Sequence, residues 1–142
     1  MTLPLNPQPV DTATPRPTRA WAYLAGFLTI AGLAHFVIPH FYRPLIPPAL
    51  GSPDAWVYGS GVAEIAVGAA LLPTKTRRPA AIAAAVLFVV VFPGNLQMAW
   101  DARDGTNVER LITLLRLPLQ FLLIWWALHV ARTAKDIRPA RR

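Results

Sequence analysis

Five polar side chains stand inside otherwise apolar stretches of this chain: His35, Glu64, Asn95, Arg116 and Gln120. Together they offer an imidazole and a carboxyl able to exchange protons, and a guanidinium and two amides able to donate hydrogen bonds to a polar headgroup. Glu64 is the most demanding of them, because it lies in the middle of SGVAEIAVGAALL (60–72). On a helix Ser60, Gly61 and Gly68 fall on its side, so the acid sits on a face of small residues that lets another backbone come close. A carboxyl at membrane depth costs a few kcal/mol unless it meets protein, water or a partner.

Depth along the helices suggests that partner. Glu64 falls about 15 Å and Arg116 about 12 Å from the same end of the bundle by helical rise, so the two are expected to pair. Arg116 also belongs to a polar stripe, Glu109, Thr113, Arg116 and Gln120, spaced for one helical face. Pro118 lies beside Arg116 and Pro93 beside Asn95, and each removes a backbone hydrogen bond. A pocket in this half of the bundle is the expectation. A buried ion pair of Glu64 and Arg116 fixing helix register, with Asn95, Gln97 and Gln120 as interhelical glue, is the alternative reading. His35 on its own reads as an interfacial residue, and His129 as a cap on the last turn. No adequate metal-ligand set is visible.

Four apolar segments must position these groups, at about 20–38, 55–72, 80–100 and 111–130. Each covers roughly 27 to 32 Å as a helix, close to the hydrocarbon thickness of a bilayer. The fold expected is all-α, a polytopic membrane protein with a four-transmembrane-helix bundle over 19–131. Residues 1–18, with five prolines, read as a disordered tail rather than a signal peptide, and 132–142 as a basic cytoplasmic tail. The connection PHFYRPLIPPALGSP (39–53) is too rich in proline for a span and too apolar for a free loop. It reads as a cap over the bundle, either a lid or a segment dipping into headgroups.

Composition agrees: 54% of the residues are hydrophobic and 15% charged, below the share of a soluble domain. The net charge of +7 sits in connections and tails. It is read as topological, with no nucleic acid partner. Ten Lys and Arg fall on the side of both termini, against Arg43, Arg103 and Arg110 on the other, which places both termini in the cytoplasm. Tryptophans near both ends of the spans fit interfacial belts. Cysteine is absent, which excludes dithiol exchange, thiolate-held iron–sulfur clusters and covalent haem through C-x-x-C-H. The histidines do not offer a haem pair at one depth.

GLAHFVIP in the first segment, GVAEIAVGAALL in the second, FPGNLQMA in the third and RLPLQ in the fourth resemble the DoxX family of small four-helix bacterial membrane proteins. The likeness runs over about residues 20–130. It implies a multi-pass protein of the bacterial inner membrane, and some related members are described as subunits of quinone-linked enzymes oxidising sulfur compounds. The resemblance implies the same five residues, His35, Glu64, Asn95, Arg116 and Gln120, as those of interest. Three function classes follow: a redox-associated subunit with a quinone in the polar pocket, electrons coming from a partner protein; a non-catalytic anchor or assembly factor, docking a partner or a second copy through the small face of the second helix; and a small-solute transporter, disfavoured by the apolar inner half. Whether the chain is itself an enzyme is left open.

Overall fold

The computed structural model describes residues 19–134, so the expected tails lie almost wholly outside the described residues. Six α-helices follow one another: α1 (Ala20–Val37), the short α2 (Pro39–Tyr42), α3 (Pro53–Ala70), α4 (Thr74–Val90), α5 (Phe92–Asp101) and α6 (Asn107–Thr133). Single 3₁₀ turns at Arg43–Leu45, Pro48–Leu50 and Ala102–Asp104 fill the connections. No strand occurs among the described residues.

Proline and polar caps set the helix ends. Pro53 occupies the first turn of α3 behind Ser52, where a missing N–H removes no helical bond. Thr106 and Glu109 form a capping box at the start of α6: the Thr106 hydroxyl accepts from the Glu109 N–H at 3.2 Å and the Glu109 carboxylate accepts from the Thr106 N–H at 2.8 Å. The third apolar segment differs from the continuous span expected at 80–100. Its helix begins earlier, at Thr74, carries Pro79 inside, and breaks at Val91, where Phe92–Pro93 opens α5. Pro93 cannot donate to a carbonyl one turn back, and the chain restarts there instead of continuing. Pro118, in contrast, sits inside an unbroken α6 of 27 residues.

Three stretches are long and apolar enough to cross a membrane: Ala20–Val37, the nearly continuous Thr74–Asp104, and Asn107–Thr133. The expected second span is helical too, and α3 matches α1 at 18 residues, but Asp54, Ser60, Glu64 and its glycines leave it out of that group. The apolar surface faces outward. Only 17% of the most apolar window of α6 is buried, and Leu111, Ile112, Leu114, Leu115, Leu119, Phe121 and Leu122 are all exposed.

The helices pair as α1 with α3 and α4 with α6, and the two pairs meet over a compact core of Leu24, Leu28, Leu71, Phe88, Val130 and the alanines 80, 81, 84, 85, 127 and 131. Most of this core lies toward the α3–α4 turn. The small alanines of α4 let α6 approach, while leucine and phenylalanine fill what remains. Arg77, counted in the sequence only as a topological charge, closes that end. It is buried, donates to the Leu71 carbonyl at 3.1 Å and the Leu72 carbonyl at 2.9 Å, and stacks over Trp21 at 3.9 Å from the ring centroid. A cation bound to the carbonyls that end α3 complements the negative end of the helix dipole. Arg77→Gln is expected to lower stability by about 2 kcal/mol, the scale of hydrogen bonds to a charged group, and Arg77→Lys to recover only part of it. Thermal unfolding in detergent checks this.

Candidate functional site

The site begins with two glycines. Gly32 of α1 and Gly61 of α3 lie against each other, and a Cβ on Gly32 would stand 2.7 Å from the Gly61 carbonyl oxygen and 3.1 Å from Glu64 Cβ. A Cβ on Gly61 would stand 2.9 Å from both the Gly32 carbonyl oxygen and His35 Cβ. Neither position has room for a side chain. Further along the same seam Gly68 lies under Thr29, whose hydroxyl donates to the Ala25 carbonyl at 2.9 Å. Each glycine stands three residues before a functional group, Gly32 before His35 and Gly61 before Glu64. On antiparallel helices this spacing brings the imidazole and the carboxyl together across the contact.

Glu64 therefore meets His35, not Arg116. His35 Nδ1 lies 3.4 Å from Glu64 Oε2, with side chains only 10% and 12% exposed. The same Nδ1 lies 2.9 Å from the Ala31 carbonyl one turn back. A carbonyl oxygen only accepts, so Nδ1 carries the hydrogen and directs it there. Glu64 Oε2 is left buried without any hydrogen bond, alone in this among the buried side-chain oxygens and nitrogens of the described residues. His35 is thus a buried member of the α1–α3 contact rather than an interfacial residue. The expected pairing failed because helical rise fixes depth and not azimuth. Azimuth is set here by the Gly32–Gly61 approach.

Residues 39–50 fold over this end of the bundle. Tyr42 lays its ring on the His35 imidazole, with centroids 3.9 Å apart and planes inclined by 20°. Burial pushes the Tyr42 phenol above its ordinary pKa, the nearby Glu64 carboxylate adds to the rise and Arg116 opposes it. Tyr42 therefore lies within electrostatic reach of both charges. Arg116 forms no ion pair among the described residues. Its guanidinium touches the Met98 sulfur at 3.5 Å and stands 5.5 Å from the Phe41 ring centroid. The covering segment is anchored by Arg43 on Asp54 at 2.6 Å and by the Trp56 indole N–H on the Leu50 carbonyl at 2.8 Å. It runs close to α5, where the Leu45 carbonyl oxygen lies 3.1 Å from where Gly94 would carry a Cβ.

Asn95 and Gln120 form a separate group. Asn95 Nδ2 donates to Gln120 Oε1 at 3.1 Å, and Gln120 Nε2 donates to the Phe88 carbonyl in the last turn of α4. Gln120 thus satisfies a helix-end carbonyl beside the Val91 break and ties α4, α5 and α6 together. The stripe on α6 divides in the same way. Thr113 and Gln120 are buried, whereas Glu109 belongs to the cap.

The sequence profile of a domain of unknown function, DUF8561, matches residues 24–131, which holds every residue of the site. The chain belongs to the DUF8561 family. A 69-residue stretch, 47% of this DUF8561 member, is 31% identical to part of the maternal protein pumilio of Drosophila melanogaster, and the chain spans 4% of that protein's length. No solved structure matches.

Proposed function

We propose that the chain is a DoxX-like integral protein of the bacterial inner membrane, crossing it four times with both termini in the cytoplasm, and that His35, Glu64 and Arg116 form a quinone-linked, redox-associated site in its outer half. The outward-facing apolar surface supports the membrane reading. Leaving a leucine-sized side chain in water rather than apolar surroundings costs about 1.5 to 3 kcal/mol, so the exposed leucines and phenylalanines of α6 alone would rival the roughly 5 to 15 kcal/mol that stabilises a domain. Lipid removes that cost.

The observation that carries the site is the Glu64 carboxyl oxygen buried without a donor, with Tyr42 within electrostatic reach of both that carboxyl and Arg116, an arginine with no acidic partner among the described residues. Buried polar groups are hydrogen-bonded as a rule, so an orphan oxygen and a cation that both act on Tyr42 fit a ligand with a hydroxyl to donate and an oxygen to accept. A quinol, the reduced form of a quinone, has hydroxyl oxygens that can both donate and accept, and the quinone–quinol couple, when bound, would supply two-electron, two-proton chemistry. Arg116 would donate to one oxygen and Glu64 would hold or receive the proton of the other, with the His35 imidazole packed against the carboxyl. Tyr42 and Phe41 would keep water out from above. The chain has no cysteine and no haem-binding histidine pair, so a partner protein would carry the electrons. The small face of α3, which supported an anchor or self-associating role, is already covered by α1 at Gly61 and Gly68.

Two measurements test the reading. Lipid extracted from the purified protein should contain quinone in excess of the surrounding membrane, and Glu64→Gln or Arg116→Leu should weaken binding of a short-chain quinone at least tenfold. Neither outcome being seen would remove the proposal. For topology, single cysteines can be placed in a chain that has none: Ser52→Cys should react with a membrane-impermeant thiol reagent added outside spheroplasts, and Thr76→Cys only after lysis.

A further inference from the structure

A concave feature lies away from His35 and Glu64, where α5 turns into α6. It is an open cavity of about 260 Å³ lined by Ala99, Arg103, Arg110 and Leu114. Two guanidinium side chains and two apolar ones make its wall, and no carboxylate lines it. Arg110 donates one N–H to the Arg103 carbonyl, which holds its guanidinium at the cavity with further donors to spare. Arg103 is braced by Trp100, 4.3 Å from the ring centroid, and by Asp104, 3.2 Å from its Nε. Asp104 is 81% exposed and offsets little of that charge. Arg110 has no acidic partner among the described residues.

The surroundings select the ligand. Leu114 of the wall is exposed, as are its α6 neighbours Leu111 and Leu115, and Trp100, which braces Arg103, is 65% exposed. A group bound here meets cationic donors at one end and an apolar ridge at the other. We propose that this cavity binds an anionic phospholipid, with its phosphate on Arg110 and Arg103 and an acyl chain along the leucines of α6. Arginine forks match phosphate oxygens in geometry and charge, and tryptophan at the headgroup level marks the same boundary. The assignment rests on the membrane reading above and is independent of the quinone site. Because Arg103 and Arg110 stand opposite the ends at which α1 begins and α6 finishes, the proposed topology puts the lipid in the outer leaflet.

The test uses the full chain in mild detergent, with native mass spectrometry and Trp fluorescence as readouts. Phosphatidylglycerol should bind at least tenfold more tightly than phosphatidylcholine, and binding should weaken with salt. Arg110→Gln should abolish that preference, Arg110→Lys should keep part of it, and Leu114→Trp, which fills the cavity and leaves both arginines, should remove lipid while the protein stays folded. Sodium phosphate up to 10 mM should not displace the lipid, since a free anion lacks the apolar contact. Equal binding of the two lipids, a preference untouched by Arg110→Gln and Leu114→Trp, or displacement by phosphate alone would each overturn the proposal. Failure of the membrane reading is scored separately, by the cysteine labelling pattern.

Discussion

Gly61→Val is expected to separate α1 from α3 and to lower the stability of the protein by 3 kcal/mol or more. The nearest atoms to a new Cβ are the Gly32 carbonyl oxygen, His35 Cβ and the Phe36 ring edge, all at 2.9 Å. The ring can turn aside, but the oxygen and the Cβ are fixed to α1, so the helices themselves must move. Overpacking a close-packed contact costs about 1 to 3 kcal/mol when side chains can adjust, and β-branching adds to that here because backbone must give way. Gly32→Ala meets the Gly61 carbonyl at 2.7 Å and should behave similarly, with a smaller loss. By comparison, Gly59→Ala has nothing within 4 Å of its new Cβ and should be neutral or stabilising, since alanine favours helix over glycine by about 1 kcal/mol. Thermal unfolding in detergent separates the three. The functional consequence follows from position: an outward shift of α3 would draw Glu64 away from His35, so Gly61→Val and Gly32→Ala, but not Gly59→Ala, should also lose the proposed quinone binding.

The helical elements and their ends were largely legible because proline and capping chemistry are local. Ser52–Pro53 and Thr106–Glu109 mark the starts of α3 and α6 within the residues that form them. The break at Val91 was foreshadowed by Pro93–Gly94, but its position was not, since a proline can bend a helix or end it depending on what the freed groups find. Here the Phe88 carbonyl, in the turn before the break, finds Gln120, 32 residues away in sequence.

Pairing across helices was legible only in part. Asn95 and Gln120 do meet, as the reading of interhelical amide glue expected, while Gln97 donates instead to Asp101 within α5 and Arg116 and Glu64 do not pair. Depth is additive along a helix and can be counted from its end, but rotation about the axis depends on which faces can approach most closely. The signal for that was present in the matching Gly-x-x-His and Gly-x-x-Glu spacings of residues 32–35 and 61–64. Tyr42 carried no such signal. It reaches His35 only because Pro39 starts a new turn directly after α1 and folds the chain back over its own end.

Glu64→Met is expected to make the protein more stable while it abolishes the proposed quinone binding. The carboxyl forms no hydrogen bond through its buried oxygen, and its neighbour His35 keeps the Nδ1 hydrogen on Ala31. An unsatisfied buried polar group costs about 1 to 3 kcal/mol, and an unbranched thioether of similar length fills the same space without it. The gain should be of that order in thermal unfolding. A structural ion pair predicts the reverse, because removing one partner of a buried pair strands the other and destabilises by several kcal/mol. His35→Phe adds the second arm. If the imidazole serves to position Glu64, the double variant should be as stable as Glu64→Met alone and equally unable to bind quinone, whereas His35→Phe by itself should keep part of the affinity. Residues kept at a cost to stability are characteristic of binding sites. The sign of the Glu64→Met effect therefore distinguishes a site from a brace in one measurement.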